Sequence, residues 1–392
     1  INWHPSHMRK RYEQWVEGLN QDWCISRQRF FGVPFPVWYR LNGEMKPDYQ
    51  NPIFAESKDL PCDPLSQAPA GFEESQRNQP DGFMGDPDVM DTWATSSVSP
   101  QINGHWGVNA KRYENLFPAD LRPQAHEIIR TWAFYTITKS WMHEKKLPWN
   151  HMAISGWVVN PDRKKMSKSK GDTVTPEELI ETYSADALRY WAGKARLGQD
   201  TIYDENVFKV GQRLSTKVFN ASKFVMMQLS CEDENLTWSA DSIKEPVDQA
   251  WAGKMNQLVE ECTELFEEYD YALALSQTEA HFWEFCDFYL ELVKSRAYNQ
   301  RDRAAGLSAL ATLEWSLEKF LKLFAPFLPY VTEEVWSWHF ADKYQVPSIH
   351  TSGWPEKESQ QTHDGESIEL LELTRDALNA IRGTKSTAQK SL

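Results

Sequence analysis

Cysteine is scarce in this sequence, long apolar runs are missing, and positive charge is outweighed. Five cysteines occur in 392 residues (Cys24, Cys62, Cys231, Cys262 and Cys286), none at CxxC spacing. That excludes a disulfide framework and a four-cysteine zinc site, and points to a reducing compartment, the cytoplasm. No stretch has the apolar length that spans a bilayer, and the residues from Ile1 onward lack the pattern of a secretory leader. A formal net charge of −14 argues against a protein that coats nucleic acid non-specifically. There is no internal repeat. The remainder is ordinary globular composition, 41% hydrophobic and 25% charged, on a chain long enough for two or three domains.

Three regions follow one another. Residues 1–38 are rich in Trp, Arg and Pro and run into the apolar stretch Val33–Tyr39. Residues 40–88 carry much Pro, Gly, Asn and Asp with weak periodicity and are predicted as a loop-rich insertion. From about 89 to 200, short apolar runs alternate with helical stretches, an α/β signature. The best strand is Met152-Ala153-Ile154-Ser155-Gly156-Trp157-Val158-Val159. A helix start follows, with Thr175 as cap, Pro176 in the first turn and Glu178 to close a capping box; Ser184 opens a second. From about 205 to 340 the pattern is helical, with stripes at Val210, Leu214, Val218 and Ala221 and at Leu258, Cys262, Leu265 and Phe266. Pro326 and Pro329 are predicted to break a long apolar helix before a new start at Thr332, and a last charged helix is predicted near 366–382.

Against the acidic background, Arg163-Lys164-Lys165-Met166-Ser167-Lys168-Ser169-Lys170 places five cations in eight positions. Such a run can be a solvated surface patch, a non-specific contact to RNA phosphates, or a phosphate-binding loop that neutralises charge during displacement at phosphorus. Its setting favours the last. It lies between a buried-looking strand and a capped helix, where ligand loops sit in an α/β sheet. Hydroxyls and Gly171 separate the lysines, which act as compact, movable point charges.

Lys165-Met166-Ser167-Lys168-Ser169 resembles the KMSKS signature of class I aminoacyl-tRNA synthetases. The surroundings resemble the valyl branch of that family over nearly the whole chain. The supporting segments are Asp22-Trp23-Cys24-Ile25-Ser26-Arg27-Gln28-Arg29, Asp88–Trp93, Asp120–Trp132 and Ala325–Tyr330. The resemblance implies the second half of a Rossmann-like catalytic domain over 1–200, with the insertion at 40–88 and the cation loop at 163–171. An all-α helix-bundle anticodon-binding domain would follow over 201–392. It also implies activation of valine with ATP and Mg²⁺, then transfer to tRNA(Val), by a monomer. Lys165 and Lys168 would act on the ATP phosphates, supported by Ser167 and Ser169. Gln124, His126 and Gly156 would meet the nucleotide, the glycine allowing close approach of a ring. Trp93, Glu127 and Ile128 would build the amino-acid pocket, the carboxylate facing an ammonium.

Some expected features are missing. The HIGH signature that accompanies KMSKS does not occur; His105-Trp106-Gly107-Val108 only looks like it and stands in the wrong order. The chain therefore resembles the C-terminal portion of such an enzyme, inactive by itself in adenylation. The insertion, where relatives carry cysteine pairs, holds only Cys62, so no zinc is expected. His126-Glu127-Ile128-Ile129-Arg130 falls short of the HExxH zinc motif, because Arg130 stands where the second His must be. Arg27 and Arg29 are open to two uses, tRNA contact or structural ion pairing. Two other readings of the whole also stand: a non-catalytic tRNA-binding module gripping RNA through Arg213, Lys217 and Asn220, and isoleucyl or leucyl specificity.

Overall fold

The computed structural model describes residues 1–164, 166, 175–230, 238–298, 303–357 and 365–387, in two compact units, Ile1–Ser155 and Gly156–Leu392.

The first unit is built on a parallel sheet of three strands, in the order β1 (Asn2–His4), β8 (Trp149–Ser155) and β7 (Ala119–Ala125). Along it come α1 (Arg9–Glu17), β2 (Ser26–Arg27), β3 (Val37–Arg40), β4 (Ile53–Phe54), β5 (Phe83–Gly85), β6 (Val89–Met90), α2 (Thr92–Ser96), α3 (Ser99–Asn103), α4 (Ala110–Leu116) and α5 (Phe134–Glu144). The core on the sheet gathers Trp3, Met8, Ile129, Trp132, Trp149, Met152 and Ile154. Each large apolar side chain buried there contributes roughly 1.5–3 kcal/mol. The run Met152–Ile154 is apolar without alternation, as expected of a strand covered on both faces.

The insertion is more ordered than its composition suggests. It carries an antiparallel sheet in the order β4–β3–β5, with Trp38 and Phe83 buried. The Trp38 indole donates to Gln67 O at 2.8 Å. Arg77 stacks on Phe83 at 4.9 Å, donates to Pro64 O at 2.7 Å and pairs with Glu74. These ties replace periodicity, so a pattern search does not see them.

The second unit opens with β9 (Val158–Val159), parallel to β10 (Thr201–Ile202), and α6 (Pro176–Tyr183) and α7 (Ala185–Gly193) between them. The strand expected over 152–159 is broken at Gly156–Trp157. The reason is steric and polar: the backbone of Gln199–Asp200 crosses there, and Asp200 Oδ1 takes the Trp157 N–H at 2.8 Å. The helices then form a bundle: α8 (Glu205–Leu229), α9 (Pro246–Glu267), α10 (Tyr271–Glu284), α11 (Leu290–Tyr298), α12 (Arg303–Phe324), α13 (Pro329–Trp338), α14 (Phe340–Tyr344) and α15 (Gly365–Thr387). Its core is aromatic, centred on Trp251, Phe282, Phe285, Tyr289, Phe320 and Phe324. Asp248 is fully buried among Tyr289 Oη, Ser308 Oγ and the Arg296 guanidinium, at 2.6–2.8 Å. Thr175 and Ser184 cap α6 and α7 as predicted, accepting from Glu178 N and Ala187 N. The helix after the Pro326–Pro329 elbow starts at Pro329, earlier than Thr332. Proline suits a first turn, and the next two N–H groups are taken by Asp186.

Candidate functional site

The carboxyl edge of the parallel sheet collects the residues singled out in the first unit. Parallel register sets Gln124 beside Ile154 and Ala125 beside Ser155, so β7 and β8 end level. Ligands of open α/β sheets bind outside such ends. Beyond β7 the chain forms one 3₁₀ turn, His126–Ile128, and then a π-helical segment, Ile129–Ala133. A π turn widens the helix and re-aims its side chains, and is frequent at functional sites. Gln124 is buried, its Nε2 bonded only weakly to Ala125 O (3.4 Å) and its Oε1 without a partner among the described residues. His126 is half-buried, Glu127 exposed, and Ile128 packs on the core. Trp132, the last residue of the Asp120–Trp132 segment, lies between Trp149 (5.4 Å, near-parallel) and the Arg122 guanidinium (3.9 Å).

Trp93 stands on α2, which packs against that π-helical segment. Its side of α2 is open, Trp93 being 37% exposed. A five-residue helix has little stability of its own, and side chains hold this one. Asp91 caps it, accepting Trp93 N at 2.8 Å. Lys139 Nζ donates to Ala94 O, and the Trp132 indole donates to Ser96 O at 3.0 Å. Asp91 in turn pairs with Arg27 at 2.7 Å. Arg27 also donates to Cys24 O and Ser26 O, each at 2.7 Å, so its fork is committed within the fold. Arg29 is exposed, beside Phe31 at the rim of a cavity of about 300 Å³. Asp91, inside the Asp88–Trp93 segment, carries a local signal for this role, because an Asp directly before Thr92 is a favoured N-cap residue.

In the second unit Gly156 is where two backbones meet: a Cβ there would sit 2.1 Å from Gln199 O. The glycine here makes room for main chain of the same unit. The cation run begins with a tight turn, Lys164 N bonding to Asn160 Oδ1 at 2.8 Å and Arg163 left-handed at φ 59°. Lys165, Ser167, Lys168 and Ser169 lie outside the described residues. On α8, Arg213 and Asn220 are exposed on one face with Lys209, Thr216 and Lys223. Lys217 points elsewhere, paired with Asp287 (3.2 Å) and lying over Trp283 (5.3 Å). His105–Val108 forms the left-handed turn between α3 and α4. Among the described residues no helix is long and apolar enough to cross a membrane.

Residues 1–204 match the family model "tRNA synthetases class I (I, L, M and V)". The chain belongs to that family. Residues 248–392 match the anticodon-binding domain of tRNA ligases. Among curated proteins it is 50% identical to the valine–tRNA ligase of Thermobifida fusca and 49% to that of Salinispora tropica, over all of this chain and 44% and 46% of those relatives. The valine–tRNA ligase of Wolbachia pipientis wMel is 48% identical over 98% of this chain and 43% of its own length. The chain thus spans less than half the length of the relatives it matches. Among solved structures, the LeuRS–tRNA–LeuAMS ternary complex of Agrobacterium radiobacter K84 agnB2 superposes with a TM-score of 0.66 at 19% identity, over 90% of this chain and 45% of that one. Mycobacterium tuberculosis methionyl-tRNA synthetase with methionyl-adenylate gives 0.60 at 20% identity, over 85% and 57%. These share the fold.

Proposed function

We propose that this chain is the C-terminal part of a cytoplasmic valine–tRNA ligase. Residues 1–200 would supply the second half of its nucleotide-binding domain and 201–392 its anticodon-binding domain. The observation that carries the reading is half identity to valine–tRNA ligases along the whole chain. The level ends of β7 and β8, with Gln124 and the 126–128 turn beside them, support it.

In this reading the valine carboxylate attacks the α-phosphate of the substrate Mg-ATP. The bond from that phosphorus to the bridging oxygen breaks, and pyrophosphate leaves. The acyl group then passes to the 2′-hydroxyl of the terminal ribose of tRNA(Val), releasing AMP. Lys165 and Lys168 neutralise charge on the α-phosphate and the departing pyrophosphate, Ser167 and Ser169 shape their loop, and Gln124, His126 and Gly156 meet the nucleotide. Trp93 and Ile128 wall the valine side chain, and Glu127 takes its ammonium. Such a pocket separates ligands differing by one methylene by only about 1–3 kcal/mol. Arg29, Arg213 and Asn220 remain the candidates for RNA contact, since Arg27 and Lys217 are engaged within the protein.

The test is valine-dependent ATP–pyrophosphate exchange by the full-length protein. Lys168→Ala should slow it by about 2–4 kcal/mol in activation free energy. An unchanged rate removes the role given to that lysine, and exchange that answers to isoleucine or leucine in place of valine overturns the specificity.

A further inference from the structure

We propose that Arg27 is a positioning residue for Trp93, acting through Asp91. The inference rests on the reading of Trp93 as a wall of the amino-acid pocket. Arg27 lies on β2 opposite Val89 on β6, and the next strand residue, Met90, leads into Asp91. One guanidinium nitrogen spans Cys24 O and Ser26 O, and another meets Asp91 Oδ2 at 2.7 Å. The second Asp91 oxygen holds the Trp93 N–H at 2.8 Å, and Asp91 N is fixed to Ile25 O at 2.7 Å. A chain of hydrogen bonds therefore runs from the 24–26 loop through one arginine and one carboxylate to the backbone that carries the indole.

The geometry asks for arginine. Its rigid planar fork reaches three acceptors at once from two separate nitrogens, whereas a lysine must serve them all from one nitrogen on a flexible stem. Because α2 has only five residues, its orientation depends on such outside ties. A displacement of a pocket wall by about 1 Å can cost a hundredfold in rate, so a strut behind the wall matters although it touches no substrate. Direct RNA contact is the competing role for Arg27, which shares a cavity rim with the exposed Arg29 and Phe31. Its committed fork argues against that role.

The experiment uses the full-length protein and measures KM for valine and for ATP in pyrophosphate exchange, together with the Kd for tRNA. Arg27→Met should raise KM for valine about tenfold, while KM for ATP and the tRNA Kd stay within about twofold. Arg27→Lys, which retains the ion pair and loses the carbonyl ties, should fall between. Combining Arg27→Met with Trp93→Ala should add nothing to Trp93→Ala alone. A weakened tRNA Kd with an unmoved KM for valine makes Arg27 an RNA ligand and overturns the proposal. So does a lowered melting temperature and kcat with KM for valine unmoved, which marks a merely structural residue. If Trp93→Ala itself leaves KM for valine unchanged, the pocket assignment falls, and the coupling with it. If Trp93→Ala raises that KM and neither Arg27 variant does, only the coupling falls.

Discussion

Asp186 on α7 holds the first turn of α13 from the side, its carboxylate accepting the backbone N–H groups of Tyr330 at 3.1 Å and Val331 at 2.9 Å. Three residues along, Arg189 donates to Pro326 O at 2.7 Å. Together they fasten the proline elbow of the bundle to the helix pair that follows the cation run.

Removing this clasp has a definite cost. Asp186→Ala leaves two helix-terminal donors without a partner and should destabilise the chain by about 1–3 kcal/mol. Asp186→Asn, which keeps an acceptor, should cost less. Urea unfolding of the two variants measures this, and equal midpoints for wild type and alanine variant contradict it.

Glu314 makes the bundle acid-sensitive. Burial alone would push its carboxyl up, but hydrogen bonds from His339, Lys343 and Trp238 outweigh that and hold it at about 2. A carboxylate depressed in the folded state contributes stability above its ordinary value of 4.5 and loses it as pH falls toward 2. Melting temperature should therefore drop between about pH 4.5 and 2, and the drop should shrink in Glu314→Gln. A pH profile with the same slope in both proteins counts against the assignment.

Gly156 tolerates no side chain. With a Cβ 2.1 Å from Gln199 O, Gly156→Ala must push the 199–200 segment away and strain the bond from Trp157 N to Asp200. A loss of about 1–3 kcal/mol is expected, seen as a lower melting temperature. A melt that does not move means that the two backbones are not so close.

Arg213 and Lys217 should part company in RNA binding. If the exposed face of α8 follows a phosphate backbone, Arg213→Ala weakens tRNA binding and lowers the slope of log K against log salt by about 1. Lys217→Ala, whose ammonium is paired with Asp287, should leave that slope as it was. Equal slopes in all three proteins dispose of the α8 assignment.

Much of the fold was legible because it rests on local chemistry. Thr175, Ser184 and Pro176 announce their helices through caps and a fixed φ, and Leu214 and Val218 through a helical stripe, all within a few residues of one another. What escaped depends on partners far along the chain. Nothing near Val158 says that Asp200 will interrupt the strand, and nothing near Pro329 says that Asp186 will cap it. In the candidate site the same line divides the residues. The stretch Asp120–Trp132, with Gln124 and His126–Ile128 in it, was visible through its resemblance to the family; that it starts on a strand, β7, was not. That Arg27 faces Asp91 and not solvent follows from the pairing of β2 with β6, which no local spacing encodes.

The insertion has a further property. Asp86 N is hydrogen-bonded to Val37 O at 2.9 Å, so the chain leaves the α/β unit and rejoins it at a single doorway. Everything between those two residues hangs from this point as a pendant whose size is decoupled from the register of the parallel strands. A change in its length need not disturb the groups aligned at the end of β7, and a short turn joining Pro36 to Asp86 would close the gap.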